Sequence, residues 1–74
     1  MFLVISKDNC IYCNKAIQLL EEKEEKYIVL DKDDGISGWI IQLFKHKFNH
    51  KTYPYIFEFV GGYDVLNNKL SNIN

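Results

Sequence analysis

Phe2-Leu3-Val4-Ile5-Ser6-Lys7-Asp8-Asn9-Cys10-Ile11-Tyr12-Cys13 decides the fold. Residues 2–6 are a short apolar run closed by Lys7-Asp8-Asn9, the pattern of a buried strand. A helical period starts directly behind it. Cys13, Ala16, Ile17 and Leu20 fall at i, i+3, i+4, i+7, while Lys15, Gln18, Glu21 and Glu22 take the opposite face. The two cysteines therefore straddle the point where a strand hands over to a helix.

Further along, residues 26–30 form a second apolar, β-branched run, and Asp31 to Gly35 make a turn. A second helical stripe follows in Ile36, Trp39, Ile40, Leu43 and Phe44, with Asp34 or Ser37 as its cap. Gly38 inside it costs about 1 kcal/mol against alanine. Lys45 to Thr52 is polar. Tyr53-Pro54 then leads into the strand-like residues 55–60 and Gly61-Gly62, and Tyr63, Leu66, Leu70 and Ile73 share the face of a last helix. The order is β-α-β-α-β-(β)-α. The first β-α-β unit predicts a parallel pair joined by a right-handed crossover. Too little chain separates Pro54 from Gly62 for another crossover, so the later strands are expected to run antiparallel. Trp39, Phe44, Tyr27 and Leu20 are assigned to the core. Tyr55 and Phe59 are either core or an exposed aromatic docking patch.

Composition sets the limits. With 74 residues, 47% apolar and 26% charged, the chain is expected to be one globular domain, residues 1–74. That size excludes a two-domain cleft and leaves a shallow surface groove as the binding site. Lys and Arg together number nine, all of them lysine, against ten acids. The absence of arginine's planar fork, together with the acidic runs at 21–25 and 31–34, speaks against nucleic acid as a partner. No apolar stretch approaches the roughly 18 residues of a membrane span, and the apolar start Met1 to Ile5, with no basic n-region or cleavage site, is expected to be a first strand rather than a signal peptide. A reducing, cytoplasmic location is expected (the host cytoplasm if the chain is viral), as is a monomer.

In such a compartment a cysteine pair is catalytic or metal-binding rather than a permanent staple. At a helix N-terminus, free N–H groups and the positive end of the dipole lower a thiol's pKa from about 8.5 to roughly 3.5–7.5. Cys10, at the cap, is the candidate nucleophile. Cys13, one turn inside, is the candidate resolving thiol, and Lys7 adds positive charge nearby. Three readings of the pair compete: a dithiol redox site, a zinc site with His46 and His50, and two unrelated buried cysteines. Zinc is disfavoured by spacing. Thirty-two residues (14 to 45) separate Cys13 from His46, where a zinc finger has about 12–15. The two histidines are expected to be solvated at the end of the second helix.

Three motifs in order make the chain resemble a glutaredoxin, a small member of the thioredoxin superfamily, most like the short dithiol glutaredoxins of phages and large DNA viruses. They are Cys10-Ile11-Tyr12-Cys13 preceded by Lys7, Thr52-Tyr53-Pro54, and Gly61-Gly62-Tyr63-Asp64. The resemblance implies an α/β thioredoxin-like fold with a small mixed sheet flanked by helices. It implies a glutathione-dependent thiol–disulfide oxidoreductase with catalytic Cys10 and Cys13. Glutathione is the reducing cosubstrate, with no bound cofactor and no metal. The glutathione-binding residues it implies are Lys7, Tyr12, Thr52, Tyr53, Pro54, Gly62, Tyr63 and Asp64, with a cis Tyr53–Pro54 bond. Gln42 is a weaker candidate for glutathione's glycine carboxylate. Protein disulfides, ribonucleotide reductase among them, are the implied partners. The alternatives are a thioredoxin-like protein served by a reductase, a non-catalytic binding module and a [2Fe–2S] carrier. Two departures stand out. Ile11 replaces the family's usual proline, and the segment from Pro54 to Gly61 is about three residues short, which predicts a vestigial fourth strand.

Overall fold

The structure, a computed structural model, describes residues 1–71. It contains β1 (Phe2–Ser6), α1 (Ile11–Glu22), β2 (Tyr27–Asp31), α2 (Gly35–Lys47), β3 (Tyr55–Glu58) and α3 (Tyr63–Ser71). The strand order is β2-β1-β3. β1 and β2 are parallel with Phe2 opposite Tyr27, and β1 and β3 are antiparallel with Ile5 opposite Tyr55. A parallel pair with an antiparallel third strand is what the chain lengths between strands predict. Among the described residues there is no fourth strand. The short 55–60 run yields one four-residue strand, and Phe59 N–H then reaches the Met1 carbonyl at 2.6 Å.

β1 is central and covered on both faces, which explains its unbroken apolar run. Val4 and Ile5 point to opposite faces and are both fully buried. Ile5 packs with Ile41 of α2 and Tyr55 of β3, with Ile40, Phe44 and Tyr53 around them. On the other face Phe2 and Ile56 line an apolar hollow with Ala16, Leu19 and Leu20 of α1. α1 thus presents the expected stripe, with Cys13 buried and Ala16, Ile17 and Leu20 half-buried.

α2 forms where its periodicity predicts, and Asp34 is the cap, accepting from Ile36 N–H at 3.0 Å. Its orientation differs from the expected stripe. The residues facing the sheet are Ser37, Ile40, Ile41 and Phe44, a face turned by about 80° at 100° per residue. Trp39, expected in the core, is 79% exposed, and Ile36 and Leu43 are exposed with it. The helix carries six large apolar residues, more than one face holds, and a three-stranded sheet has room for one stripe. The stripe with small Ser37 packs closer than one with an indole. Phe44, Tyr27 and Leu20 are half-buried, as a core periphery rather than its centre. Tyr55 resolves to core, fully buried, and Phe59 to surface.

The expected apolar face of α3 is also uncovered. Tyr63, Leu66 and Leu70 are exposed, and Ile73 lies outside the described residues. With β3 only four residues long, the sheet offers α3 little surface. The Lys69–Glu58 ion pair, at 2.8 Å, ties the helix to β3. Gly61 sets the corner before it. Its φ of +128° suits only glycine, and a Cβ there would come within 3.0 Å of Val65 Cγ2.

Candidate active site

The carboxyl ends of the parallel pair are where an open α/β sheet exposes its ligand crevice. Cys10 stands at that end, as the N-cap of α1, with extended φ/ψ of −112°/101°. Asn9 before it takes a left-handed turn (φ 55°), a conformation that asparagine tolerates. The Cys10 carbonyl accepts Asn14 N–H at 3.2 Å, and its Sγ accepts Cys13 N–H at 3.1 Å. A sulfur does here what a serine hydroxyl does in an ordinary cap. The first turn of α1 holds no acidic residue, so nothing offsets the positive helix end. On reduction, a thiolate at this sulfur gains both the dipole and the N–H bond.

Cys10 and Cys13 are joined as a disulfide, with Cα atoms 5.2 Å apart. Cys13 is 1% exposed and Cys10 8%. The inner cysteine is sealed, as its stripe position predicts. The outer one is less open than a freely accessible cap, and it is reached through a groove. That groove, about 520 Å³, has Lys7, Asn9, Cys10, Ile11 and Tyr12 on one wall and Lys51, Thr52 and Tyr53 on the other. Its charged lining residues are both lysines. Lys7 Nζ lies 5.1 Å from the centroid of the Tyr53 ring and so bridges the walls; Lys15 Nζ lies 5.5 Å from that of Tyr12. The Tyr53–Pro54 bond is cis.

Of the residues singled out in the sequence, Lys7, Cys10, Tyr12, Thr52 and Tyr53 meet in this groove. Pro54 lines a hollow behind it with Phe44, Phe48, His50 and Ile56. Gly62, Tyr63 and Asp64 are not among the lining residues. Tyr63 opens α3 with its ring exposed, and Asp64 sits inside the first turn rather than at the cap. Gln42 faces away on α2, within 3.2 Å of His46 Nε2. His50, expected to be solvated, is partly buried against the Pro54 carbonyl. Among the described residues no three His, Cys, Asp or Glu side chains gather as a metal would need. Lys51 and Asn9 were missed. Each adjoins a motif, Thr52-Tyr53-Pro54 or Cys10, and adjacency was the available signal.

A family model described as Glutaredoxin matches residues 2–65. Among solved structures, the holo form of glutaredoxin C1 from Populus tremula x tremuloides is 28% identical, with a TM-score of 0.63, covering 97% of this chain and 75% of that one. A buckwheat glutaredoxin–glutathione complex is 21% identical, TM-score 0.64, covering 96% and 68%. Glutaredoxin 1 from Francisella tularensis, complexed with cacodylate, is 24% identical, TM-score 0.60, covering 97% and 93%. The last two, under 25% identical, speak for the fold alone, which is thioredoxin-like. No curated protein matches the sequence.

Proposed function

The chain belongs to the glutaredoxin family and is a thiol–disulfide oxidoreductase, and from that premise we propose that it draws its electrons from glutathione and reduces glutathione-mixed or protein disulfides. One observation carries this reading: the sulfur that caps α1 is also the floor of a groove whose charged lining residues are both cationic. Glutathione is a short anionic peptide, and Lys7 and Lys51 face its carboxylates. The main chain of Tyr53 offers its cysteine a strand-like partner. Gly62, Tyr63 and Asp64 are proposed to meet the γ-glutamyl end, with free N–H groups of α3 for the carboxylate. Since they stand outside the groove lining, most of the affinity is assigned to the lysine side.

In the proposed cycle Cys10 thiolate attacks a disulfide sulfur, and the leaving thiolate takes up a proton. With a protein disulfide, Cys13 then attacks Cys10 Sγ, releases the second protein thiol and closes the Cys10–Cys13 disulfide. One glutathione thiolate opens that disulfide to a Cys10–glutathione bond, and a second releases oxidised glutathione. Two electrons pass at each full turn. Exchange rates depend on thiolate fraction and nucleophilicity together, so a strongly acidified thiol is no advantage beyond a point. Ribonucleotide reductase and other disulfide-bearing proteins are proposed substrates, and a reducing cytoplasm is the proposed compartment.

The test is a coupled assay with glutathione, glutathione reductase, NADPH and a small glutathione-mixed disulfide. Turnover in the wild type that vanishes in Cys10→Ser supports the reading. A folded, reduced wild type that turns over with dithiothreitol but not with glutathione refutes glutathione as the electron source.

A further inference from the structure

We infer that His50 is a positioning residue for disulfide exchange, bracing the Thr52–Tyr53–Pro54 wall of the groove from behind. The inference rests on reading that groove as the place where the substrate's main chain lies. His50 Nε2 is 3.3 Å from the Pro54 carbonyl oxygen. A carbonyl only accepts, so Nε2 carries the proton and donates. The ring stands edge-on to Tyr55 at 4.9 Å, and Tyr55 in turn packs edge-on to Tyr53 at 5.0 Å. The backbone side of His50 is fixed as well. Asn49 closes α2 with a left-handed φ of 54°, and His50 N–H then bonds the Phe44 carbonyl at 3.2 Å.

One residue is therefore anchored to α2 through its main chain and to the groove wall through its ring. Among the described residues no other side-chain hydrogen bond reaches residues 51–54. The rest of the wall's support is packing, of Tyr53 on Tyr55 and the core, so the His50 bond is what fixes the Pro54 carbonyl in direction. Nothing of His50 lines the Cys10 groove, so its effect passes through Pro54 and Tyr55 and not through the reacting sulfurs. Loosening the wall weakens binding of an extended substrate and leaves the chemistry of Cys10 alone.

The experiment compares wild type, His50→Gln, His50→Asn and His50→Leu in dithiothreitol-driven reduction of an unstructured peptide disulfide. Folding is checked by circular dichroism. Alkylation of reduced Cys10 by iodoacetamide, which enters the groove without pairing with the Thr52–Tyr53–Pro54 main chain, is followed in parallel. Glutamine places an amide N–H where Nε2 was; asparagine falls short of it. The expected result is a KM raised about five- to tenfold in His50→Leu, as for loss of one hydrogen bond with its packing. kcat and alkylation stay within about twofold of wild type, and His50→Gln restores KM where His50→Asn does not. If His50→Leu fails to fold, the Gln-against-Asn difference in KM decides. An unchanged KM, equal KM in Gln and Asn, or kcat and alkylation falling together overturns the inference. Because dithiothreitol supplies the electrons, a failure of glutathione as cosubstrate leaves this outcome separately readable. Absence of dithiothreitol-driven turnover in the wild type overturns the inference together with the exchange site.

Discussion

Replacing Ile11 by proline is expected to stabilise the protein, although it alters the active-site motif. Ile11 is the first residue of α1, where proline's fixed φ suits the helix and no N–H is required. The capping sulfur bonds the N–H of Cys13 and the Ile11 N–H has no acceptor among the described residues, so proline removes no hydrogen bond. Cys10 is already extended, at φ −112° and ψ 101°, close to the range that a following proline imposes. Ile11 is 69% exposed, so about a third of its side chain is buried. Full burial of such a side chain contributes about 1.5–3 kcal/mol, so at most roughly 1 kcal/mol is at stake. The pyrrolidine carbons retain most of that. Against it stands a gain of about 0.4–1 kcal/mol from a stiffer unfolded chain. The net is a stabilisation of about 0.5 kcal/mol, or a Tm raised by about 2–4 °C for a domain of this size. Thermal unfolding of the disulfide form, followed by circular dichroism, measures it. A Tm lowered by about 2 °C or more refutes the reasoning, because it means that the N1 position is not preformed for proline.

Further expectations concern the scaffold. Asp34→Ala removes the cap on Ile36 and is expected to cost about 1 kcal/mol in urea unfolding, with Asp34→Asn much milder; equal losses contradict the capping role. Tyr55 and Ser37 bury hydroxyls that bond no protein atom among the described residues. Tyr55→Phe is therefore expected to leave stability unchanged or to raise it by up to about 1 kcal/mol, and a loss of more than that shows that the hydroxyl has a partner. The hydrogen bond from Lys69 holds the Glu58 carboxyl below its ordinary 4.5, opposed by desolvation and aided by the charges of Lys69 and the N-terminus. A depressed carboxyl stabilises the fold above its unfolded pKa and loses that contribution as pH falls through the folded value. The tether of α3 to β3 is thus intact above about pH 4.5 and weakens below it. The protection factors of the α3 amides, corrected for the intrinsic pH dependence of exchange, should fall on acidification in wild type and be already low, with little pH response from this source, in Lys69→Met. Matching pH responses in the two proteins rule the tether out.

The fold was legible where local signals and tertiary demands agree. β1 reads as buried because both its faces are covered, and the strand-to-helix handover at Cys10 needs nothing distant to define it. The parallel and antiparallel pairings follow from how much chain lies between strands. The orientation of α2 is not legible in the sequence because its apolar residues nearly encircle it, and periodicity alone does not choose between the Trp39 and Ile41 faces. That choice is made by Ile5 and Tyr55 across the interface. α3 was expected to cover apolar surface that a four-residue β3 does not supply.

The candidate site divides in the same way. Lys7, Cys10 and Tyr12 are neighbours in sequence, and Thr52 and Tyr53 form one short motif, so their meeting was foreseeable once the motifs were recognised. Whether the Gly62–Asp64 corner reaches the groove depends on the path of the shortened segment before it, which no local pattern encodes. His50 reads from the sequence as a solvated helix-end residue, because its role lies in the Pro54 carbonyl and the Tyr55 ring, contacts that belong to the folded loop and not to any spacing.

Disulfide exchange between Cys10 and glutathione is the central step of the proposed function, and trapping the intermediate tests it most directly. Reduced Cys13→Ser is mixed with oxidised glutathione and its mass measured over time, beside reduced Cys10→Ser. In Cys13→Ser, Cys10 thiolate should displace one glutathione and keep the other as a stable mixed disulfide, one per chain, mapped to Cys10. In Cys10→Ser, the sealed Cys13 should react far more slowly. Equal capture by the two variants, or none by a folded Cys13→Ser, contradicts the account.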